Sequence, residues 1–227
     1  MKFLLSIETS TTVCSAALQR GEDQLGSFTI YSGRSHAEHL ALFTGKLLES
    51  CGVRPDELSA VALSAGPGSY TGLRIGTSFA KGLCYALDIP LITIGSLHGI
   101  AEAVRQRSQS CKYIIPMMDA RRMEVYLQVF GGNGNSLEQA RPFLLEEEDL
   151  GEYLDNGICC FAGNGSDKAR KVISHENALF IGGIDADAIY MCEEAWRKYT
   201  AGEFADLAYF EPEYLKEFRA TKPKKLL

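Results

Sequence analysis

The sequence predicts an α/β protein of two tandem lobes, each a mixed sheet flanked by helices. In the first half, the apolar segments Lys2–Ile7, Cys14–Leu18 and Leu25–Tyr31 are separated by short turns, one of them at Gly21. Ala60–Ala65 and Leu91–Ile94 are instead reached through helical patterns over Ser35–Cys51 and Thr71–Leu87. Tight turns join antiparallel strands, and parallel strands need a crossover, so the sheet is mixed. The same order then recurs, with Tyr113–Met118, Glu124–Phe130, a strand near Arg141–Leu145, an acidic helix from Glu146, strand Ile158–Phe161 and helices beyond. Short matches support duplication. Ala65-Gly66-Pro67-Gly68-Ser69 reappears as Ala162-Gly163-Asn164-Gly165-Ser166, and Ile7-Glu8 is echoed by Met118-Asp119. The polar stretch Gln106–Lys112 reads as the linker, which gives a first lobe over 1–108, a second over 109–219 and a basic tail over 220–227 with Lys222-Pro223-Lys224-Lys225 in solvent.

At 227 residues the chain buries a substantial core. Its 23 basic and 29 acidic residues give a formal charge of -6, which lacks the footprint of an autonomous nucleic-acid binder, so any work on RNA needs a partner. The seven cysteines, Cys14, Cys51, Cys84, Cys111, Cys159, Cys160 and Cys192, show no CxxC spacing. Each reads as a small buried hydrophobe, and a reducing cytoplasm suits them. Phe3-Leu4-Leu5 meets Glu8 too soon for a signal-peptide core of about 7–15 residues, and no run approaches the roughly 18 apolar residues of a membrane span.

Gly66-Pro67-Gly68-Ser69-Tyr70-Thr71-Gly72-Leu73-Arg74-Ile75-Gly76 follows a strand pattern and opens a helix. Gly66 and Gly68 permit unusual torsions, Pro67 stiffens the turn, and Ser69 or Thr71 caps the helix. Such a corner suits an anion or another protein, but the lysine of a P-loop is missing and no dinucleotide fingerprint fits. Within the helix, Gly72, Gly76 and Gly82 each cost on the order of 1 kcal/mol against alanine and call for a compensating contact. The preceding helix offers Leu40, Phe43, Leu47 and Leu48 to the core and a small-residue edge at Ala37, Ala41, Thr44 and Gly45. The residues alone divide evenly between packing on the sheet and admitting a foreign backbone.

His36 and His39 are three apart with no third ligand from His98 or His175, so no metal site is predicted. Glu8, Asp119 and Asp185 at strand ends compare with the acids that hold magnesium in ATP-using folds. The accompanying Thr9-Ser10-Thr11-Thr12 loop has hydroxyls but no glycine, and Ala120-Arg121-Arg122 is bulky. Independent ATP turnover is not expected, while weak nucleotide or cleft contacts at Glu8, Thr9, Ser10, Asp119 and Arg121 stay open.

Five motifs carry a family resemblance: Leu5-Ser6-Ile7-Glu8-Thr9-Ser10, Arg34-Ser35-His36-Ala37-Glu38, Gly66 to Gly76 with Ala80-Lys81-Gly82-Leu83, Asp119-Ala120-Arg121-Arg122-Met123-Glu124-Val125-Tyr126, and Pro212-Glu213-Tyr214-Leu215. Together they resemble the bacterial TsaB (YeaZ) proteins of tRNA threonylcarbamoyladenosine synthesis, glycoprotease-like members of the actin, sugar kinase and Hsp70 superfamily. Glu8 stands where an aspartate is more familiar. The resemblance implies actin-like, ribonuclease H-like lobes and a cytoplasmic, non-catalytic subunit. Such a subunit pairs with a TsaD-like catalytic protein, assisted by a TsaE-like ATPase, and meets tRNA only through that complex. ATP and magnesium then enter at the level of the complex, with no catalytic residue, intrinsic cofactor or metal here. The resemblance further implies that Leu40, Phe43, Leu73, Gly76 and Phe79 line or support the partner-binding helix pair, that the same helices form a homodimer in the free protein, and that Arg121 and Arg122 order the cleft. The alternative is an ATP-dependent phosphotransferase or a glycoprotease-type metalloenzyme of the same fold.

Overall fold

A computed structural model of the chain describes residues 1–31, 36–108, 110–146 and 149–216. Arg34 and Ser35 of the second motif, Glu147 and Glu148 of the acidic run, and the tail 220–227 lie outside the described residues.

The apolar segments of the first half become strands. β1 (Phe3–Glu8), β2 (Cys14–Arg20) and β3 (Asp23–Ile30) form an antiparallel meander. Helix α1 (His36–Ser50) crosses to β4 (Leu58–Ser64), and α2 (Tyr70–Leu87) crosses to β5 (Leu91–Ile94). Both β4 and β5 run parallel to their neighbours, so the first sheet has the order β3-β2-β1-β4-β5. Helix α3 (Ser96–Arg107) then leads into β6 (Tyr113–Asp119), β7 (Glu124–Leu127), β8 (Phe130–Gly131) and β9 (Arg141–Leu144). The single turn α4 (Gly151–Leu154), β10 (Cys159–Ala162), the turn α5 (Ser166–Ala169) and β11 (Ala178–Phe180) follow, and α6 (Cys192–Ala201) comes last.

The second sheet has the order β11-β10-β6-β7-β9, with the β6–β7 and β7–β9 pairs antiparallel and the β6–β10 and β10–β11 pairs parallel. This is the order and direction pattern of the first sheet, so the internal repeat read from short matches is a repeat of topology. The matched corners fall at equivalent places, after β4 and after β10. Both corners hold a glycine in the left-handed region, Gly66 at φ 116 and Gly163 at φ 93, where a side chain is strained.

One expected strand is split. Glu124–Phe130 becomes β7 and β8, which pair with β6 in one continuous register that sets Pro116 opposite Gln128. Proline has no amide to give, so the ladder lapses there. The Val129 carbonyl turns instead to the amides of Leu137 and Glu138.

Four apolar clusters cover the sheet faces. Leu5, Ile7, Leu40, Phe43, Leu47 and Leu63 fill the space between the first sheet and α1 and α2. The opposite face is covered by Met191 and by α6, through Cys192 and Ala195, against Leu4, Ala62 and Ile92. On the second sheet, Leu97, Ile100 and Val104 of α3 pack with Ile114, Cys160 and Ala162. The lobes thus exchange helices: α3 follows the first sheet but lies on the second, and α6 returns to the first.

The cysteines depart from the expectation of small unpaired hydrophobes. Cys111 is bonded to Cys160, while Cys14, Cys51, Cys84, Cys159 and Cys192 are free. Burial pushes the Cys84 and Cys159 thiols up to about 11 and those of Cys14 and Cys192 up to about 12, which leaves these four as inert packing groups.

Candidate functional site

The Gly66–Gly76 corner is built around the β1–β2 turn. Ser69 N donates to the Ser10 carbonyl at 2.6 Å, and Thr9 Oγ1 donates to the Gly72 carbonyl at 2.9 Å. A Cβ on Gly68 would overlap the Ser10 backbone, one on Gly72 would overlap the Thr9 carbonyl oxygen, and one on Gly76 would overlap Thr9 Oγ1 and press on Leu63 at 3.2 Å. These three glycines make room for the chain's own Thr9-Ser10 loop. Ser69 caps α2 by accepting from Gly72 N at 3.3 Å, and Thr71 is exposed.

Ala65 and Gly66 are held from outside by the closing motif. Glu213 N donates to the Ala65 carbonyl at 2.7 Å, and a Cβ on Gly66 would lie 2.6 Å from the Glu213 carbonyl. The sequence flagged Pro212-Glu213-Tyr214-Leu215 but not this role. The segment from Ala205 to Lys216 is a strap. Ala205 bridges to Leu91, Lys81 Nζ grips the carbonyls of Ala208 at 3.2 Å and Phe210 at 3.1 Å, and Tyr214 sits 4.9 Å from the ring of Tyr70. Lys216 then reaches the second lobe at Glu124 and the Ala120 carbonyl.

The acids at strand ends do not meet. Glu8 is fully buried and accepts from Ser10 N at 2.5 Å. Burial pushes its carboxyl above the usual carboxylate range and Asp187 adds to that, while hydrogen bonds from Ser10 and Ser64 pull partway back. Asp119 instead caps the β6–β7 turn, accepting from Arg121 N at 2.6 Å and from Lys168 Nζ at 2.8 Å. Partial burial opposes ionisation there, but Lys168 and the Arg121 amide hold the carboxyl below its ordinary value. Lys168 also binds the carbonyls of Arg122 and Glu124, which secures a turn whose Arg121 and Arg122 stand at φ 70 and 51. Among the described residues, no three His, Cys, Asp or Glu side chains are grouped to hold a metal ion. The His36 ring is spent on the Thr11 carbonyl at 3.0 Å.

A carboxyl raised in the folded state holds its proton more tightly there than in the unfolded chain. Its stabilising contribution is complete below the ordinary glutamate range and is lost as pH rises through the folded value. Glu8→Gln, neutral and of the same shape, is expected to flatten that loss as pH rises above the ordinary glutamate range, read out by urea denaturation. An equal decline in variant and wild type would overturn this reading of Glu8.

The helix pair turns two different sets of residues inward and outward. Leu40, Phe43 and Leu73 are buried, Gly76 faces Thr9, and Phe79 packs partly on the core, so these five support the pair from behind rather than line its outer face. What faces outward is a different set. On α1 it is Ala37, Ala41, Leu42 and Gly45, and on α2 it is Arg74, Ser78, Gly82, Tyr85 and Ala86. Leu42 is 59% and Tyr85 84% exposed. Ala37, Ala41 and Gly45 recur every four residues on one helix, and so do Ser78, Gly82 and Ala86 on the other, so each set forms one stripe. Among the described residues, a Cβ on Gly45 or Gly82 would meet nothing within 4 Å. A helical glycine costs roughly 0.8–1 kcal/mol, and no contact among the described residues offsets it at these two positions.

The family model described as TsaD, tRNA N6-adenosine threonylcarbamoyltransferase, matches residues 30–143, the span that contains both helices. A TsaB protein of tRNA threonylcarbamoyladenosine biosynthesis from Haemophilus influenzae is 28% identical, with 94% of this chain and 93% of that one covered. YeaZ from Pseudomonas aeruginosa superposes with a TM-score of 0.84 at 26% identity, covering 95% of this chain and all of that one. The chain belongs to the TsaB (YeaZ) family. A Bacillus subtilis TsaB is 34% identical over 61% of this chain, and that alignment spans 59% of the relative's length. Membership accounts for the two-lobed fold and ties the chain to tRNA threonylcarbamoyladenosine biosynthesis, the process for which its relatives are named. No described helix is long and apolar enough to cross a membrane.

Proposed function

We propose that this chain is a non-catalytic, cytoplasmic subunit of a tRNA threonylcarbamoyladenosine synthesis complex. It binds and activates a TsaD-like catalytic subunit through the outer faces of α1 and α2, and a TsaE-like ATPase acts on the pair. The observation that carries this reading is the pair of outward glycines, Gly45 and Gly82, with open space around them. Small residues at four-residue spacing on adjacent helices let a second helix pair approach to backbone distance. The match of the TsaD model to residues 30–143, which include both helices, supports a partner built on similar helices, meeting like with like.

Catalysis belongs to the partner in this reading. Glu8 is sealed and engaged by Ser10 N, and the Thr9-Ser10 loop is packed under α2, a geometry that does not fit a magnesium nucleotide. ATP and magnesium therefore act at the level of the complex, and with a formal charge of -6 the chain meets tRNA through its partner.

In the free protein the same face is exposed, and self-pairing about a two-fold axis buries it. Homodimer and heterodimer then exclude each other. Sedimentation of the free chain is expected to show a concentration-dependent dimer that disappears as a TsaD-like subunit is titrated in. A monomer at high concentration, or a complex that keeps the homodimer contact, would sink the proposal.

A further inference from the structure

We propose that Cys111 and Cys160 form a reversible thiol–disulfide site that fixes the chain where it crosses from α3 into the second sheet. The site is independent of the partner face. Cys160 lies in the middle of β10, opposite Ile114 of β6, and its side chain joins the cluster of Leu97, Ile100 and Val104 beneath α3. Cys111 stands at the end of the linker and belongs to the same cluster. Their Cα atoms are 5.7 Å apart, within the span a disulfide bridges. Cys159, one residue away, points to the opposite face of the sheet and packs in a different cluster, so it is not an exchange partner.

The backbone beside the pair is held without the sulfur bond. Lys112 N and Tyr113 N both donate to the Ile158 carbonyl, at 2.9 and 3.1 Å, and Gly132 N donates to the Lys112 carbonyl at 2.9 Å. Reduced thiols therefore stay side by side, and the bond breaks and re-forms without refolding. Cys111 is 8% exposed while Cys160 is sealed, so a reductant reaches the bond from the Cys111 side. A dithiol reductant attacks it and frees Cys160, then closes on itself and releases Cys111. Two electrons and two protons pass to the protein, and the reductant leaves as a cyclic disulfide. In the reverse direction, the Cys111 thiolate attacks a glutathione-type disulfide and releases one thiol. Cys160 then displaces the second.

The bond spans a sequence separation of 49 and encloses β6 to β9, so reduction frees a long loop in the unfolded chain. Loss of the bond is expected to lower the melting temperature by about 5–15 °C.

The test uses the full chain, with thiols trapped by acid and alkylation on cell lysis and again after treatment with glutathione disulfide. The oxidised protein is expected to expose five alkylatable thiols on denaturation and seven after reduction, with the linked peptides mapping to Cys111 and Cys160. The reductant-induced drop in melting temperature is expected to vanish in Cys160→Ala and persist in Cys159→Ala. Seven thiols after oxidant treatment, a different linked pair, or equal melting of the oxidised and reduced wild type would each overturn the site. The thiol count needs no variant, so it decides the question even if Cys160→Ala does not fold.

Discussion

Gly72→Ala is expected to destabilise the chain by about 3 kcal/mol, whereas Gly82→Ala, ten residues along the same helix, is expected to stabilise it by roughly 0.5–1 kcal/mol. The two substitutions add the same methyl group and differ only in what it meets. At Gly72 it overlaps the backbone carbonyl of Thr9, which is held in a turn that also accepts from Ser69 N through Ser10, so neither α2 nor the turn yields without breaking hydrogen bonds. At Gly82 it meets nothing within 4 Å among the described residues and recovers helix propensity. Gly76→Ala falls between them, because the obstructing atom there is the hydroxyl of Thr9, which can rotate at the cost of its bond to the Gly72 carbonyl. Urea midpoints at constant m-value read out the ranking. A Gly72→Ala protein within about 1 kcal/mol of wild type would show that the corner is not held as described. Gly76→Leu, a natural choice for blocking a partner, is expected to damage the fold instead.

The same glycines show how far the sequence was legible. The corner, the succession of strands and helices and the duplication were readable because turn residues and apolar runs are local signals. The inward or outward sense of each glycine was not, since α2 carries small residues on more than one face. In the folded chain Gly72, Gly76 and Ala80 make the inner stripe, and Ser78, Gly82 and Ala86 the outer one. Both recur at four-residue spacing, so only the side chains facing them tell the two apart. The exchange of α3 and α6 between lobes was hidden for a related reason. An amphipathic helix declares that it has a buried face but not which sheet covers it. The Cys111–Cys160 pair joins positions 49 apart through strand neighbours, a relation that no spacing pattern encodes. Glu8 was found as a candidate acid from its place at a strand end. Its sealing by Ser10 N follows from how the turn tucks under α2.

Gly82→Arg combined with Gly45→Arg is expected to abolish measurable pairing with the TsaD-like subunit, a loss of at least about 100-fold in affinity, or roughly 2.8 kcal/mol at 1.4 kcal/mol per tenfold, while leaving the lobe folded. Both positions are exposed interior sites of helices, and arginine is a good helix former, so circular dichroism and melting temperature should stay at or above wild type. The loss arises because a long charged side chain holds the facing helices apart and is stranded at a contact built from alanine, serine and glycine. The homodimer should be lost in parallel, since it uses the same stripes, and Lys171→Ala on the second lobe should change neither. Titration calorimetry measures the first effect and sedimentation the second. A double variant that is folded and still binds the catalytic subunit with wild-type affinity would place the interface elsewhere on the chain, and the open space around Gly45 and Gly82 would then have no bearing on partner choice.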